Sequence, residues 1–281
     1  MTTPTISIIG AGNMGLSLLQ GLLRVNHPTD KIWAALPSEE KCLALKKQYS
    51  IQATSNNITA IDQADIVVLA VKPQVLPSVI HELKASLKDR KPLIISVAAG
   101  VTIQSIEQGL GANDIPIIRS MPNTPMQIGR GATGLFANAL TSPLQKKQAE
   151  SIFANGGLTF WLEEEKLIDV VSALSGSGPA YFFLLMEALM ESSEKLGLPK
   201  EMARLLTLKT AEGAAAMALQ SKDTVIALRA AVTSPGGTTE QAIRIMEEAS
   251  IRETMLSALK AAQKRSAELS ALFQEKMDLL T

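Results

Sequence analysis

The stretch TISIIGAGNMGLSLLQGLLR, residues 5–24, decides the fold. A β-branched run from Thr5 to Ile9 leads directly into Gly10-Ala11-Gly12-Asn13-Met14-Gly15, and helix-forming residues follow to about Arg24. Glycines at this spacing have separate physical uses. The first permits a tight turn, the second lets the backbone approach a pyrophosphate, and the third allows close packing of helix on strand. The helix start then offers unpaired N–H groups and a positive dipole end to phosphate oxygens. A purely structural glycine turn is the alternative, and the strand before and helix after weigh against it.

Working outward, short apolar runs recur at Lys31 to Ala35, Ile66 to Val71, Leu93 to Val97 and Ile115 to Arg119, each followed by a helix-like segment. Strands apolar throughout, alternating with helices, predict a parallel sheet covered on both faces. A further extended pair, Ala132 to Phe136 and Leu158 to Leu162, is expected to finish it. In such a doubly wound α/β fold of Rossmann type, ligands bind along the carboxyl edge. The loops on that edge are Ala70-Val71-Lys72-Pro73, Val97-Ala98-Ala99-Gly100 and Met121-Pro122-Asn123-Thr124-Pro125, which form one rim with the glycine turn. After the second strand the chain reads Ala34-Ala35-Leu36-Pro37-Ser38, with no acid before Glu39. Without a carboxylate there to repel a 2′-phosphate, NADP(H) is permitted; with no Arg present, Ser38 or nearby N–H groups would have to meet the phosphate.

Beyond Glu164 the composition shifts to Ala, Leu, Met and Glu, which are good helix formers. The expected organisation is a dinucleotide-binding domain over 1–164 and an all-α domain over 165–281. Met255, Leu259, Ala262, Ser266, Leu269 and Phe273 mark one face of a long helix, packed within the chain or against a second subunit. Two Gly-rich segments precede helices. Ser175 through Ala180 has a Ser to cap and Pro179 near the first helical position, and Thr238 with Gln241 matches a capping box. Their hydroxyls are either simple caps or, with the free N–H groups, a carboxylate site.

Lys plus Arg equals Asp plus Glu at 27 each, so no global field favours nucleic acid or an acidic membrane. The single Cys42 excludes an intrachain disulfide framework and suits the cytoplasm. Two uncharged runs need checking against the membrane. Glycines interrupt the first 23 residues, which also lack a basic start; Ser-Gly-Ser-Gly-Pro interrupts the run from Val170 to Met186. No cluster has metal-ligand spacing, and His27 and His81 stand apart from every motif.

Taken together, Val232 through Thr239, Leu174 through Tyr181, Ala70 through Pro73 and Met121 through Pro125 resemble pyrroline-5-carboxylate reductase, in order and spacing over nearly the whole chain. The Ser-Pro-Gly-Gly-x-Thr element at Ser234 to Thr239 is specific where the glycine fingerprint is not. The resemblance implies reduction of 1-pyrroline-5-carboxylate to L-proline with NADPH, or NADH, in a homodimer or ring of dimers. It implies that Ser234, Gly237 and Thr238 hold the substrate carboxylate and that the Thr239 hydroxyl reaches the ring nitrogen. It also implies that Glu165 lies near the substrate and Asn57 near the cofactor. Ala231 and Thr238 depart from residues that some members carry, so Thr238 could compete with Thr239 for the nitrogen.

Two other readings fit the same architecture. A β-hydroxyacid-type dehydrogenase would need a catalytic Lys in the second domain, for which Lys209 is the nearest candidate. A non-catalytic NADP-binding module would keep the fold without turnover.

Overall fold

A computed structural model describes residues 3–279. Its eight strands are β1 (Ile6–Ile9), β2 (Ile32–Ala35), β3 (Gln52–Thr54), β4 (Ile66–Leu69), β5 (Leu93–Ser96), β6 (Ile117–Met121), β7 (Gly131–Ala137) and β8 (Gly157–Trp161). They form one sheet in the order β3-β2-β1-β4-β5-β6-β7-β8. The strands from β3 to β6 are mutually parallel, β7 runs against β6, and β8 runs with β7. The order reverses between β1 and β4, the switch point where a doubly wound sheet binds its ligand.

Helices α1 (Asn13–Arg24), α2 (Glu39–Tyr49), α3 (Asn57–Ile61), α4 (Leu76–Arg90), α5 (Ile103–Leu110) and α6 (Pro143–Ala154) alternate with the strands. Every residue of β1, β4 and β5 is buried, as expected for strands covered on both faces. Leu18, Leu22, Ile152 and Phe153, from α1 and α6, fill one face, while Leu76, Leu83 and Ile106, from α4 and α5, fill the other.

The helices that follow are α7 (Leu167–Val171), α8 (Gly178–Lys195), α9 (Lys200–Gln220), α10 (Val225–Ala231), α11 (Thr238–Glu248) and α12 (Ile251–Asp278). Residues up to Ser177, together with those from Ala261 onward, make one compact unit, and Gly178–Lys260 makes a second. Composition alone puts the division earlier, at Glu164. The compact unit runs further because α7 still packs on β6 and β7, and because the end of α12 returns Phe273 and Met277 to the core beside α4 and α5. The periodic face read along α12 is therefore divided: Ser266 and Phe273 are buried, whereas Met255 is exposed.

Two expected helix starts take another form. Ser175 caps nothing: residues Ser172–Gly176 form a π turn that joins α7 to α8, and the Ser175 hydroxyl donates to Val171 O at 3.1 Å. Thr238 is the first residue of α11 rather than its cap, which is Gly237, so no capping box forms with Gln241.

Candidate active site

The glycine turn has the steric requirements that a dinucleotide site imposes. Gly10 has φ +91°, and a Cβ there would lie 2.5 Å from Val71 Cγ1, across the β1–β4 switch point. At Gly12 a Cβ would meet nothing within 4 Å, which leaves the backbone open to an approaching phosphate. A Cβ at Gly15 would sit 2.5 Å from Gly10 O, so this glycine sets how close α1 lies to β1. The first intrahelical bond runs from Leu16 N to Gly12 O at 2.8 Å, leaving the earlier N–H groups of α1 for a ligand. The first turn of α1 carries no acid.

These residues fit a dinucleotide. Beside them lies a cavity of about 550 Å³ lined by Gly10, Gly12, Asn13, Leu36, Pro37, Ser38 and Lys41. The Ser38 hydroxyl is engaged as the cap of α2, accepting from Lys41 N at 3.3 Å. Lys41, in the first turn of the same helix, lines this cavity too and is a cation beside it. Sequence reasoning missed it by searching the end of β2 and not the next helical turn, where a cap at Ser38 turns residue 41 toward the same opening.

Ala70 N donates to Ile9 O at 2.8 Å, and Val97 N to Leu69 O at 3.1 Å. These bonds hold the loops Ala70–Pro73 and Val97–Ala99 in line with the glycine turn, as expected for one rim. Lys72 is exposed on it. Asn57 opens α3 beyond β3, and its amide donates to Glu82 Oε2 of α4 at 2.8 Å. His27 lies at the opposite, amino edge of the sheet, bonded to Pro4 O, and burial holds its imidazole below the usual range.

Glu165 is occupied by its own unit. Its Oε1 accepts from Ile103 N at 2.9 Å, at the start of α5, and from Arg119 Nη1 at 3.2 Å. Arg119, fully buried on β6, also donates from Nη2 to Asp169 Oδ1 at 3.0 Å, and Ser266 Oγ on α12 donates to that same oxygen at 2.8 Å. One guanidinium thus fastens α5, α7 and α12 to the sheet. The signal was a charged residue inside the apolar run Ile117–Met121, where a buried cation needs carboxylate partners. Asn123 is a second clamp: its Oδ1 accepts from Ala132 N at 2.9 Å, and its Nδ2 donates to Ser175 O at 3.0 Å.

In the second unit, Ser234 to Thr239 form an open turn into α11. Gly236 has φ +72°, a conformation that favours glycine, and Gly237 N donates to Ser234 O at 2.9 Å. Glu240 accepts from Gly236 N at 2.7 Å. Among the described residues, the hydroxyls of Ser234, Thr238 and Thr239 find no partner, and the first N–H groups of α11 have no intrahelical acceptor. Chemically, such a turn can hold an anion and present a hydroxyl donor beside it. Lys209 is 82% exposed on α9 and pairs with Glu212 Oε2 at 2.7 Å, a surface i,i+3 pair.

Comparison with known proteins bears on both units. A family model described as pyrroline-5-carboxylate reductase dimerisation matches residues 165–269, and one described as NADP oxidoreductase, coenzyme F420-dependent, matches 5–100. Pyrroline-5-carboxylate reductase of Pseudomonas aeruginosa is 46% identical over 96% of this chain and 98% of its own length. That of Escherichia coli is 36% identical over 94% and 98%. The solved structure of a pyrroline-5-carboxylate reductase from Coxiella burnetii is similar at 47% identity and a TM-score of 0.91, over 96% of this chain and 99% of that one. The Plasmodium falciparum pyrroline carboxylate reductase with NADP bound is similar at 30% identity and a TM-score of 0.85, over the same shares.

Proposed function

The chain belongs to the pyrroline-5-carboxylate reductase family, and on that premise we propose how its regions divide the work: 1–164 bind the dinucleotide, and 165–281 bind the substrate and dimerise. The protein is an NAD(P)H-dependent oxidoreductase that reduces 1-pyrroline-5-carboxylate to L-proline, the final step of proline biosynthesis. Bound nicotinamide supplies the hydride that C5 of the cyclic C=N bond receives. The N–H groups at the start of α11, with Ser234, Gly237 and Thr238, hold the substrate carboxylate. The Thr239 hydroxyl meets the ring nitrogen; an imine is basic enough to be protonated readily, so a positioned hydrogen-bonding hydroxyl suffices. The observation that carries this reading is the turn itself: among the described residues the hydroxyls of Ser234, Thr238 and Thr239 have no partner and the first N–H groups of α11 no intrahelical acceptor, while Gly236 N and Gly237 N are used within the turn. Initial rates of NADPH consumption with pyrroline-5-carboxylate test it, and no consumption above a blank sinks it. That outcome would favour the binding-module reading.

For the cofactor site we assign Gly10, Ala11, Gly12, Asn13, Met14 and Gly15 to the pyrophosphate. The rim residues Ala70, Val71, Lys72, Pro73, Val97, Ala98 and Ala99 line the remaining length, with Asn57 at the margin. NADPH is the preferred carrier, supported by Lys41 on the cavity and by the lack of an acid at the end of β2. Lys41→Ala is expected to raise the KM for NADPH about 10-fold while leaving that for NADH unchanged, the size of one charge-assisted hydrogen bond. Equal changes for both carriers would dissociate Lys41 from phosphate recognition. For Glu165, engaged with Arg119 and Ile103, an architectural role fits better than direct contact with substrate.

Lys209→Ala is expected to keep most imine-reducing activity, because its ammonium sits on an exposed helix face with Glu212. Lost turnover in a folded variant would favour the hydroxyacid-dehydrogenase mechanism. The segment Leu167–Lys195 is long and apolar enough to cross a membrane, and only 17% of its most apolar window is buried within the chain. Because the dimerisation match covers it, a second subunit in a cytoplasmic homodimer accounts for that bare surface better than lipid does.

A further inference from the structure

We propose that the bare face of β8 is also a subunit contact: a second copy of this chain covers Leu158 and Phe160, extending the interface beyond residues 165–269 onto the sheet itself. The inference rests on the dimeric reading above and deepens it. Successive side chains on a strand point to opposite faces. On β8, Trp161 faces α6, where its Nε1 donates to Glu150 Oε1 at 2.5 Å and Lys146 Nζ lies 5.1 Å from the ring. Leu158 and Phe160 occupy the other face and are 58% and 56% exposed.

Register identifies what lies beside them. Phe160 pairs with Gly134 of β7, so the two share a face, and a Cβ on Gly134 would stand 2.9 Å from Val171 Cγ1 of α7. Helix α7 therefore covers β7 and leaves β8 bare. Val170 and Leu174, one helical turn apart on the same segment, are exposed too, and both lie inside the dimerisation match. The apolar surface is thus continuous from that segment onto a strand that, among the described residues, is the edge of the sheet. Such an edge is a hazard in an isolated chain and is normally covered. Continuity with the dimerisation segment assigns the cover to a second copy.

The test is the assembly state of Leu158→Glu/Phe160→Glu by light scattering during size exclusion, beside Leu185→Glu on α8. Weakening of self-association by about 100-fold in the β8 variant, with unchanged circular dichroism, is the expected result. If only the α8 variant dissociates, the β8 contact is overturned while the dimer stands; if neither does, the dimeric reading fails with it. Should the double variant not fold, Phe160→Cys gives a second readout, since the native Cys42 is buried. Its maleimide labelling should be at least about 10-fold slower than in a peptide of the same sequence, because half-exposure within one chain gives little protection. Labelling at the peptide's rate in a protein that still assembles overturns the proposal.

Discussion

Thr239→Ala is expected to lower kcat about 10- to 1000-fold, with a smaller change in NADPH binding. The substitution removes a hydroxyl that makes no hydrogen bond among the described residues, at the second position of α11, where Ala is the better helix former. Stability should therefore be unaffected, and the backbone N–H that serves the carboxylate remains. What disappears is a donor whose value arises at the nitrogen as hydride arrives, so the loss belongs in kcat more than in KM. Thr239→Ser should restore most of the rate. Thr238→Ala, run in parallel, should alter kcat little. If the two alanine variants exchange behaviours, the nitrogen contact belongs to Thr238, and an unchanged kcat in both would require a different donor.

Arg119→Met is expected to destabilise the fold by about 3–5 kcal/mol, measured as a fall in the urea midpoint of unfolding. Met fills similar volume, so a cavity is not the main cost. The loss comes from leaving the carboxylates of Glu165 and Asp169 partly buried without their cation. Among the described residues Arg119 Nε finds no partner, so the substitution also removes one unmet donor and the loss belongs at the lower end of that range. Removing the charges together, as Arg119→Met with Glu165→Gln and Asp169→Asn, should recover part of the loss. A change below about 1 kcal/mol in the single variant would mean that apolar contacts alone fasten α5, α7 and α12 to the sheet.

Much of this molecule was legible because its information is local. The strands β1, β4 and β5 are apolar at nearly every position, and their ends are punctuated by Gly or Pro, so the sheet and its ligand-binding edge follow from composition and order. Gln52–Thr54 escaped notice: three residues with polar ends carry no periodicity, and only pairing with β2 makes them a strand. Ser175 misled because a helix that continues through a π turn has no free N–H groups at that point to cap; Ser177 N bonds instead to Ser172 O. The capping box at Thr238 failed because Gly237 takes the extended cap conformation and Glu240, one residue before Gln241, reaches back to Gly236 N. Arg119 betrayed itself as a charge in an apolar strand, but its partners at 165, 169 and 266 are distant in sequence and no spacing rule finds them. The same holds for the chain's return at Ala261, which no change of composition announces.

That return has a consequence for biogenesis. Phe273 and Met277 complete the face of the sheet to which Ile9 contributes, so one core cluster spans nearly the full length of the described residues. On the ribosome the strands can align early, yet the apolar surfaces of α4 and α5 stay uncovered until residue 277 clears the exit tunnel. The nascent nucleotide-binding half should therefore be a substrate for chaperones until that segment emerges, and its closure a step of high contact order.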